Sequence, residues 1–128
     1  MRTDARIFAF KYIFVDLFNA NANLQEKIDD LKLEMPLNEK DFAFAEELFD
    51  AYEKNKDALK SDVQKVLEGY DIDRVFKADL ALIFTAVTEI KFLQTPKPIV
   101  VDEILEIAKK YSTDKSSSFI NGILAKIN

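Results

Sequence analysis

Three pairs of closely spaced carboxylates are the candidates for metal binding or acid–base chemistry: Asp71-x-Asp73, Glu46-Glu47 and Asp102-Glu103. An Asp-x-Asp start is typical of a calcium-binding loop, which also needs a glycine at its sixth position and a glutamate at its twelfth. The chain has Phe76 and Leu82 at those positions, so we interpret the first pair as helix-capping residues. Adjacent carboxylates on a helix point in different directions. We interpret the other two pairs as solvated charges and predict no metal site.

The chain contains no histidine and no cysteine. Histidine is the usual general base near neutral pH, and both residues are common metal ligands and members of nucleophilic catalytic sites. With only 2 glycines, a glycine-rich phosphate loop is also excluded. We therefore predict that the protein is not an enzyme and that it needs no cofactor.

Basic side chains near the two ends of the chain are the candidates for contact with nucleic acid. The net charge is -5, but the negative charge lies in the middle, where residues 15–95 carry 18 acidic and 10 basic side chains. The basic residues of the two ends include Arg2, Arg6, Lys11, Lys109, Lys110, Lys115 and Lys126. We expect the first three to lie near one side of the first helix. A fold that joins the ends would make a modest basic surface for phosphates, although from charge alone scattered solvated lysines are the favoured interpretation.

The elements that position these residues are predicted to be helices throughout. The chain has 128 residues, 48% of them hydrophobic, with only 2 glycines and 3 prolines, which favours one domain, residues 1–128, of long helices and short connections. Apolar residues recur at helical spacing. Seven helices are predicted: one that starts at a cap formed by Thr3 and Asp4 and ends at Phe18, and others at about residues 24–35, 39–52, 57–68, 73–92, 100–111 and 117–127.

Two segments are less regular. Residues 95–98, Thr-Pro-Lys-Pro, are predicted to lie outside any helix because proline disfavours helical conformation in the preceding residue. Residues 99–101 are all β-branched and favour extended backbone, but a lone strand has nothing to pair with, so a helix start is the preferred interpretation. No apolar run approaches the roughly 20 residues that span a bilayer. We expect a cytoplasmic protein without membrane association.

An ordered set of short motifs runs through the second half of the chain. They are Gly69-Tyr70-Asp71-Ile72-Asp73-Arg74-Val75, Asp79-Leu80-Ala81-Leu82-Ile83, Glu89-Ile90, Pro96, Val101-Asp102-Glu103-Ile104, Ala108-Lys109 and Phe119-Ile120-Asn121-Gly122-Ile123-Leu124. In this order they resemble the NusB family, with Tyr70 where tryptophan is usual, and Leu48, Ala51 and Asn55 match an earlier helix of that family. The resemblance implies an all-α bundle of two three-helix halves.

The resemblance also implies a function and a set of contact residues. NusB-type proteins bind the boxA element of nascent RNA together with the ribosomal protein NusE, and the complex helps RNA polymerase to resist termination on ribosomal RNA operons. The positions that the resemblance assigns to RNA are Arg2, Arg6, Lys11, Lys115 and Phe119. Those that it assigns to NusE are Phe14 and Asp79.

Two alternatives stay open. Phe119 fits a core stripe with Ile123 and Ile127 as well as it fits a base-stacking position. The arginine-rich first helix of the family is thinned here to Arg2 and Arg6, with Asp4 between them, so we expect NusE to supply much of the RNA affinity. The alternative function is a NusB-like protein-interaction module with little or no RNA binding, whose acidic middle docks a basic protein.

Overall fold

The computed structural model describes residues 2–20 and 23–128, and all regular structure within them is helical. The prediction of an all-α bundle with seven helices is confirmed. The helices are α1 (Arg2–Phe18), α2 (Leu24–Glu34), α3 (Glu39–Lys54), α4 (Lys56–Val66), α5 (Lys77–Phe92), α6 (Lys97–Tyr111) and α7 (Ser116–Lys126), with a 3-10 turn, Ile72–Arg74, before α5.

Short polar side chains determine several of the helix starts. The side chain of Asn38 accepts a hydrogen bond from the backbone amide of Asp41 at 2.8 Å, which caps α3 as predicted. The side chain of Asp71 accepts from the amide of Asp73 at 2.9 Å. The Asp-x-Asp pair is therefore a cap, as the sequence indicated, although it caps the 3-10 turn and not a long helix.

Three predicted helix starts are wrong. The described part of α1 begins at Arg2, so Thr3 lies in its first turn, where its hydroxyl donates to Glu103 Oε1 at 3.0 Å instead of capping. The 3-10 turn delays the start of α5 from residue 73 to Lys77. Helix α6 begins at Lys97, before the predicted residue 100, because Pro98 occupies its first turn, where the missing N–H has no helical partner to lose. The β-branched residues 99–101 are helical.

The core lies between α1 and α5. Helix α1 packs against α3 and α5, while α5 also packs against α6 and α7. Every residue of α5 from Ala78 to Glu89 is buried, as the apolar run predicted for the centre of a bundle. An aromatic layer joins α1 to α3, where the rings of Tyr12 and Phe49 stack with centroids 4.6 Å apart.

A buried carboxylate ties the C-terminal half of α1 to the helices that follow it. Asp16 is 3% exposed and accepts hydrogen bonds from Lys27 Nζ at 2.9 Å, from the Tyr52 hydroxyl at 2.7 Å and from Lys56 at 3.2 Å. Burial opposes ionisation of this carboxyl, but the three hydrogen bonds outweigh it and lower the pKa of Asp16. The ionised group thus links α1 to α2, α3 and α4.

In the described ranges, 2–20 and 23–128, no helix is both long and apolar enough to cross a membrane.

Candidate RNA and partner surfaces

Arg6, one of the predicted RNA contacts, lies inside the bundle. Its side chain is 3% exposed, and its Nε and Nη2 atoms each donate to a carboxylate oxygen of Glu89 at 2.7 Å. Its Nη1 atom donates to Glu103 Oε1 at 3.1 Å. The hydrogen bonds to Glu89, with the charges of both carboxylates, raise the pKa of Arg6 against the effect of burial. Because two carboxylates already bind the guanidinium, it is not available to bind a phosphate of RNA. Arg6 instead joins α1 to α5 and α6.

Arg2 remains at the surface. Its guanidinium carbon lies 4.4 Å from the centroid of the Phe44 ring in α3, at cation–π distance, and the side chain is exposed. It lines an open cavity of about 530 Å³ together with Phe44, Glu47, Asp50 and Phe92. The guanidinium makes no ion pair with any described residue, so it is free to bind a phosphate, but its acidic neighbours reduce the local positive potential.

Lys11 lies on a different side of α1 from Arg2, so the expectation that the three basic residues share one side is wrong. Nine positions are about two and a half helical turns, which places the two residues on opposite sides of the helix. Lys11 Nζ pairs with Glu34 of α2 at 3.0 Å and lies 5.6 Å from the ring centroid of Tyr111 at the end of α6. Glu34 therefore partly neutralises the charge of Lys11, which lies on the opposite side of α1 from Arg2.

Lys115 and Phe119 lie at the start of α7. Lys115 is exposed, immediately precedes the helix, and its ammonium group forms no ion pair with any part of the chain that the structure describes. Phe119 is partly buried and packs against the core. Its ring also lines a cavity of about 380 Å³ that opens to solvent between α4 and α7. Both interpretations of Phe119 therefore have structural support, since one side of the side chain contacts the core and another faces the cavity.

The basic candidates do not form one continuous patch. Thr3, beside Arg2, contacts Glu103 in the first half of α6, whereas Lys115 lies beyond the end of that helix. Glu103 and Ser112, the residue that follows α6, are nine positions apart, or about 14 Å along the helix. The Arg2 guanidinium itself lies over Phe44 of α3, so Arg2 and Lys115 are well separated.

Phe14, a predicted partner contact, lies in an aromatic row on the outer side of α1. Its ring contacts those of Phe18 and Phe10, with centroid distances of 4.9 Å and 6.2 Å. Phe18 is 65% exposed and Val15 is 38% exposed. Phe14 also lines a mainly apolar cavity of about 410 Å³ that reaches Tyr111. This surface, consisting of Phe14, Val15, Phe18 and Tyr111, is called the α1 aromatic surface below.

Asp79, the other predicted partner contact, is buried, and its hydrogen-bond partner Ser112 directly follows Tyr111 of that surface. Asp79 is 7% exposed and accepts a hydrogen bond from the Ser112 hydroxyl at 2.5 Å. The Ser112 hydroxyl also bonds that of Ser116 at 2.8 Å, which in turn bonds Thr113. Asp79 therefore holds the turn between α6 and α7 against the start of α5. Its neighbour Ala78, and not Asp79 itself, lines the cavity beside Phe14.

The two carboxylates that bind Arg6 were not predicted, and the interpretation of Glu103 as a solvated charge is wrong because it accepts hydrogen bonds from Thr3 and Arg6. Glu89 is fully buried in α5, and Glu103 is one third exposed in α6. A signal for Glu89 was present, because it is a charged residue just after the apolar run of residues 80–87 in α5, and buried charges are paired. Among the described residues, no group of three or more acidic side chains is placed to hold a metal ion.

Comparisons with known proteins identify the family. The sequence model of the NusB family matches residues 3–128. Among curated relatives, the transcription antitermination protein NusB of Clostridium botulinum (strain Loch Maree) is 31% identical over 98% of this chain and 98% of its own length. The protein of the same name from Staphylococcus epidermidis is 32% identical over 99% of this chain and 98% of its own length.

Solved structures of similar proteins have the same fold. NusB of Thermotoga maritima superimposes with a TM-score of 0.89 at 26% identity, covering 98% of this chain and 89% of the other. A structure of antitermination factors NusB and NusE in complex with dsRNA gives a TM-score of 0.88 at 25% identity, covering 97% and 92%. The chain belongs to the NusB family, a family of transcription antitermination factors that are not enzymes.

Proposed function

We propose that the protein is a transcription antitermination factor that binds boxA-type RNA together with NusE and helps RNA polymerase in the cytoplasm to resist termination on ribosomal RNA operons. The observation that carries the proposal is the likeness, over nearly the whole of both chains, to a NusB solved with NusE and RNA. The full-length relatives named antitermination proteins support the same function.

The RNA contacts that we propose are the exposed members of the predicted set. Arg2 and Lys115 are cations with no carboxylate partner among the described residues, and Phe119 offers part of a ring at a cavity. Lys11 is a weaker candidate because Glu34 shares its charge. Arg6 contributes indirectly, since its ion pair with Glu89 fixes the first turns of α1, from which Arg2 projects.

The NusE contact that we propose is the α1 aromatic surface. Large contiguous patches of exposed apolar side chains are uncommon on the surface of a monomeric protein and mark sites of protein contact. Phe14 is the partner-facing residue, and Asp79 supports the surface by holding Ser112, which follows Tyr111. Because Asp79 is buried, the proposed contact does not require it to pair with a positively charged group of NusE.

A binding titration tests both halves of the proposal. A fluorescently labelled boxA RNA is titrated with the protein alone and with an equimolar mixture of the protein and NusE at low salt, with a scrambled RNA as the control. We expect weak binding by the protein alone and tighter, sequence-dependent binding by the mixture. Absence of binding in both cases would refute the RNA function.

The alternative, a protein-interaction module with little RNA binding, is favoured by one observation. Helix α1 has two arginines. Arg6 is paired with Glu89 and Glu103, and Arg2 lies near other acidic residues, Glu47 and Asp50. A pull-down that recovers NusE, combined with the absence of RNA binding in the titration above, would support this alternative.

A further inference from the structure

An open groove lies between α3 and the end of α5, beside the ring of Phe92. It is the cavity of about 530 Å³ that Arg2 and Phe44 also line, and it is called the Phe92 groove below. The residues of α5 from Ala78 to Glu89 are buried, whereas Phe92 is 41% exposed. Its ring contacts no other aromatic ring among the described residues. One face of this ring is therefore available to a partner.

Two carboxylates of α3 line the same groove without partners. Glu47 and Asp50 are exposed, and their carboxylates form no ion pair or hydrogen bond with any group in the ranges 2–20 and 23–128. They belong to an acidic wall, since α3 carries six acidic and two basic side chains. Because surfaces of opposite potential dock favourably, a partner that fits this wall carries positive charge.

Arg2 indicates which cation suits the groove. Its guanidinium carbon lies 4.4 Å from the centroid of the Phe44 ring, yet it pairs with neither Glu47 nor Asp50. A guanidinium is planar, so it stacks on an aromatic ring, and its fork of donors matches a carboxylate, whereas the ammonium group of lysine does neither. The open volume of about 530 Å³ lies beside Arg2. A second guanidinium therefore has room to enter without displacing the first.

We propose that the Phe92 groove docks an arginine side chain from an exposed segment of a basic protein, with the guanidinium on the Phe92 ring and its donors on Glu47 and Asp50. This surface is separate from the α1 aromatic surface, because Arg2 and Phe14 are twelve positions apart, or about 18 Å along α1. The docked protein is thus additional to the NusE contact at Phe14. The inference does not depend on RNA binding.

The test is a nuclear magnetic resonance titration of the full chain with a short synthetic peptide that carries one arginine among glycines and serines. Matched peptides carry citrulline, which keeps the planar group without its charge, or lysine, which keeps the charge without the planar group. The variants are Glu47→Gln, Asp50→Asn and Phe92→Leu. Glu46→Gln is the matched control, because Glu46 is an exposed acidic residue of α3 that does not line the groove. All four side chains are exposed, and circular dichroism checks that the variants fold.

We expect the arginine peptide to shift the backbone amide signals of α3 around Glu47, the lysine peptide to bind more weakly, and the citrulline peptide not to bind. Glu47→Gln and Asp50→Asn should each weaken binding about tenfold, because each removes a charged hydrogen-bond acceptor. Phe92→Leu should weaken it about two- to fivefold through loss of the cation–π contact. Arg2→Ala should strengthen binding, since it removes a like charge from the groove.

Four results would overturn the inference. The absence of signal shifts with the arginine peptide, or equal binding of the arginine and citrulline peptides, would exclude docking of a guanidinium. Equal losses for Glu46→Gln and Glu47→Gln would show attraction by the overall charge of α3 and no specific site. Displacement of the peptide by NusE would assign the groove to the NusE contact.

The fourth result concerns RNA. Loss of a negative charge beside Arg2 should strengthen binding of boxA RNA or leave it unchanged. Weaker RNA binding by Asp50→Asn in the presence of NusE would therefore assign the groove to RNA and overturn the inference. The peptide titration contains no RNA, so its outcome is separate from that of the proposed antitermination function.

Discussion

Arg6 and Glu89 form a two-pronged ion pair inside the protein, with both N···O distances at 2.7 Å. The pair is almost inaccessible to solvent, with exposures of 3% and 0%, and the residues are 83 positions apart in the chain. Removal of one partner from such a pair leaves an uncompensated buried charge, which costs about 3–5 kcal/mol. The pair is therefore central to the attachment of α1 to α5.

Arg6→Met is expected to lower the free energy of unfolding by about 3–5 kcal/mol because it leaves Glu89 buried without its cation. Urea denaturation followed by circular dichroism measures the change. The control is the double variant Arg6→Met/Glu89→Gln, which removes both charges and should recover part of the loss. An Arg6→Met protein of wild-type stability whose RNA affinity drops would show that Arg6 contacts RNA directly.

Arg2→Ala is expected to weaken RNA binding and leave the fold intact, since the side chain is exposed and its ring contact is worth only about 0.5–1 kcal/mol. The slope of log affinity against log salt should decrease in magnitude by about 1 as one phosphate contact is lost. Titrations at several salt concentrations give this slope. Arg2→Lys is the matched control and should retain the slope of the wild type. An unchanged slope in Arg2→Ala would show that Arg2 does not contact a phosphate.

Phe14→Ala is expected to reduce affinity for NusE by tenfold or more, because aromatic residues at the centre of an interface contribute about 2 kcal/mol or more to binding. Isothermal titration calorimetry with purified NusE measures the effect. Ile99→Ala, which removes an apolar side chain that is 51% exposed on α6, serves as the control and should bind normally. Equal affinities for wild type and Phe14→Ala would place the partner elsewhere.

The stability conferred by Asp16 is expected to disappear in acid. Its pKa in the folded protein is below the ordinary value of 3.8, so the ionised carboxyl stabilises the fold fully above that value and less as the pH falls through the lowered pKa. Asp16→Asn should cost about 3 kcal/mol at pH 7, and the difference from wild type should shrink below about pH 4. Urea denaturation across this pH range measures it. A difference that is independent of pH would contradict ionisation of Asp16.

The sequence predicts the helices better than it predicts which side chains they bury. Apolar spacing was sufficient to place α5 at the centre, because a run that is apolar on all sides has few other stable positions. The burial of Arg6 was not predictable from its own neighbourhood. It depends on Glu89 and Glu103, which lie far along the chain and reach α1 only through the tertiary packing of α5 and α6.

Some positions of the candidate contact residues were likewise predictable from the sequence, and others depend on tertiary packing. The separation of Lys11 from Arg2 follows from their spacing of nine residues and was available in the sequence. The interior position of Asp79 was not, because its hydrogen bond to Ser112 depends on how α6 returns to the start of α5. The cavity beside Phe119 likewise arises only when α4 and α7 meet.

The long sequence separation of Arg6 and its carboxylates has a consequence for biosynthesis. The first helix leaves the ribosome with a guanidinium whose partners, at positions 89 and 103, are still to be translated. Until these residues emerge, Arg6 must stay in contact with water, and this face of α1 cannot pack against its final neighbours. Closure of the bundle around Arg6 therefore cannot precede the synthesis of Glu103, and a nascent chain arrested before that residue lacks one of the two carboxylates that bind the guanidinium.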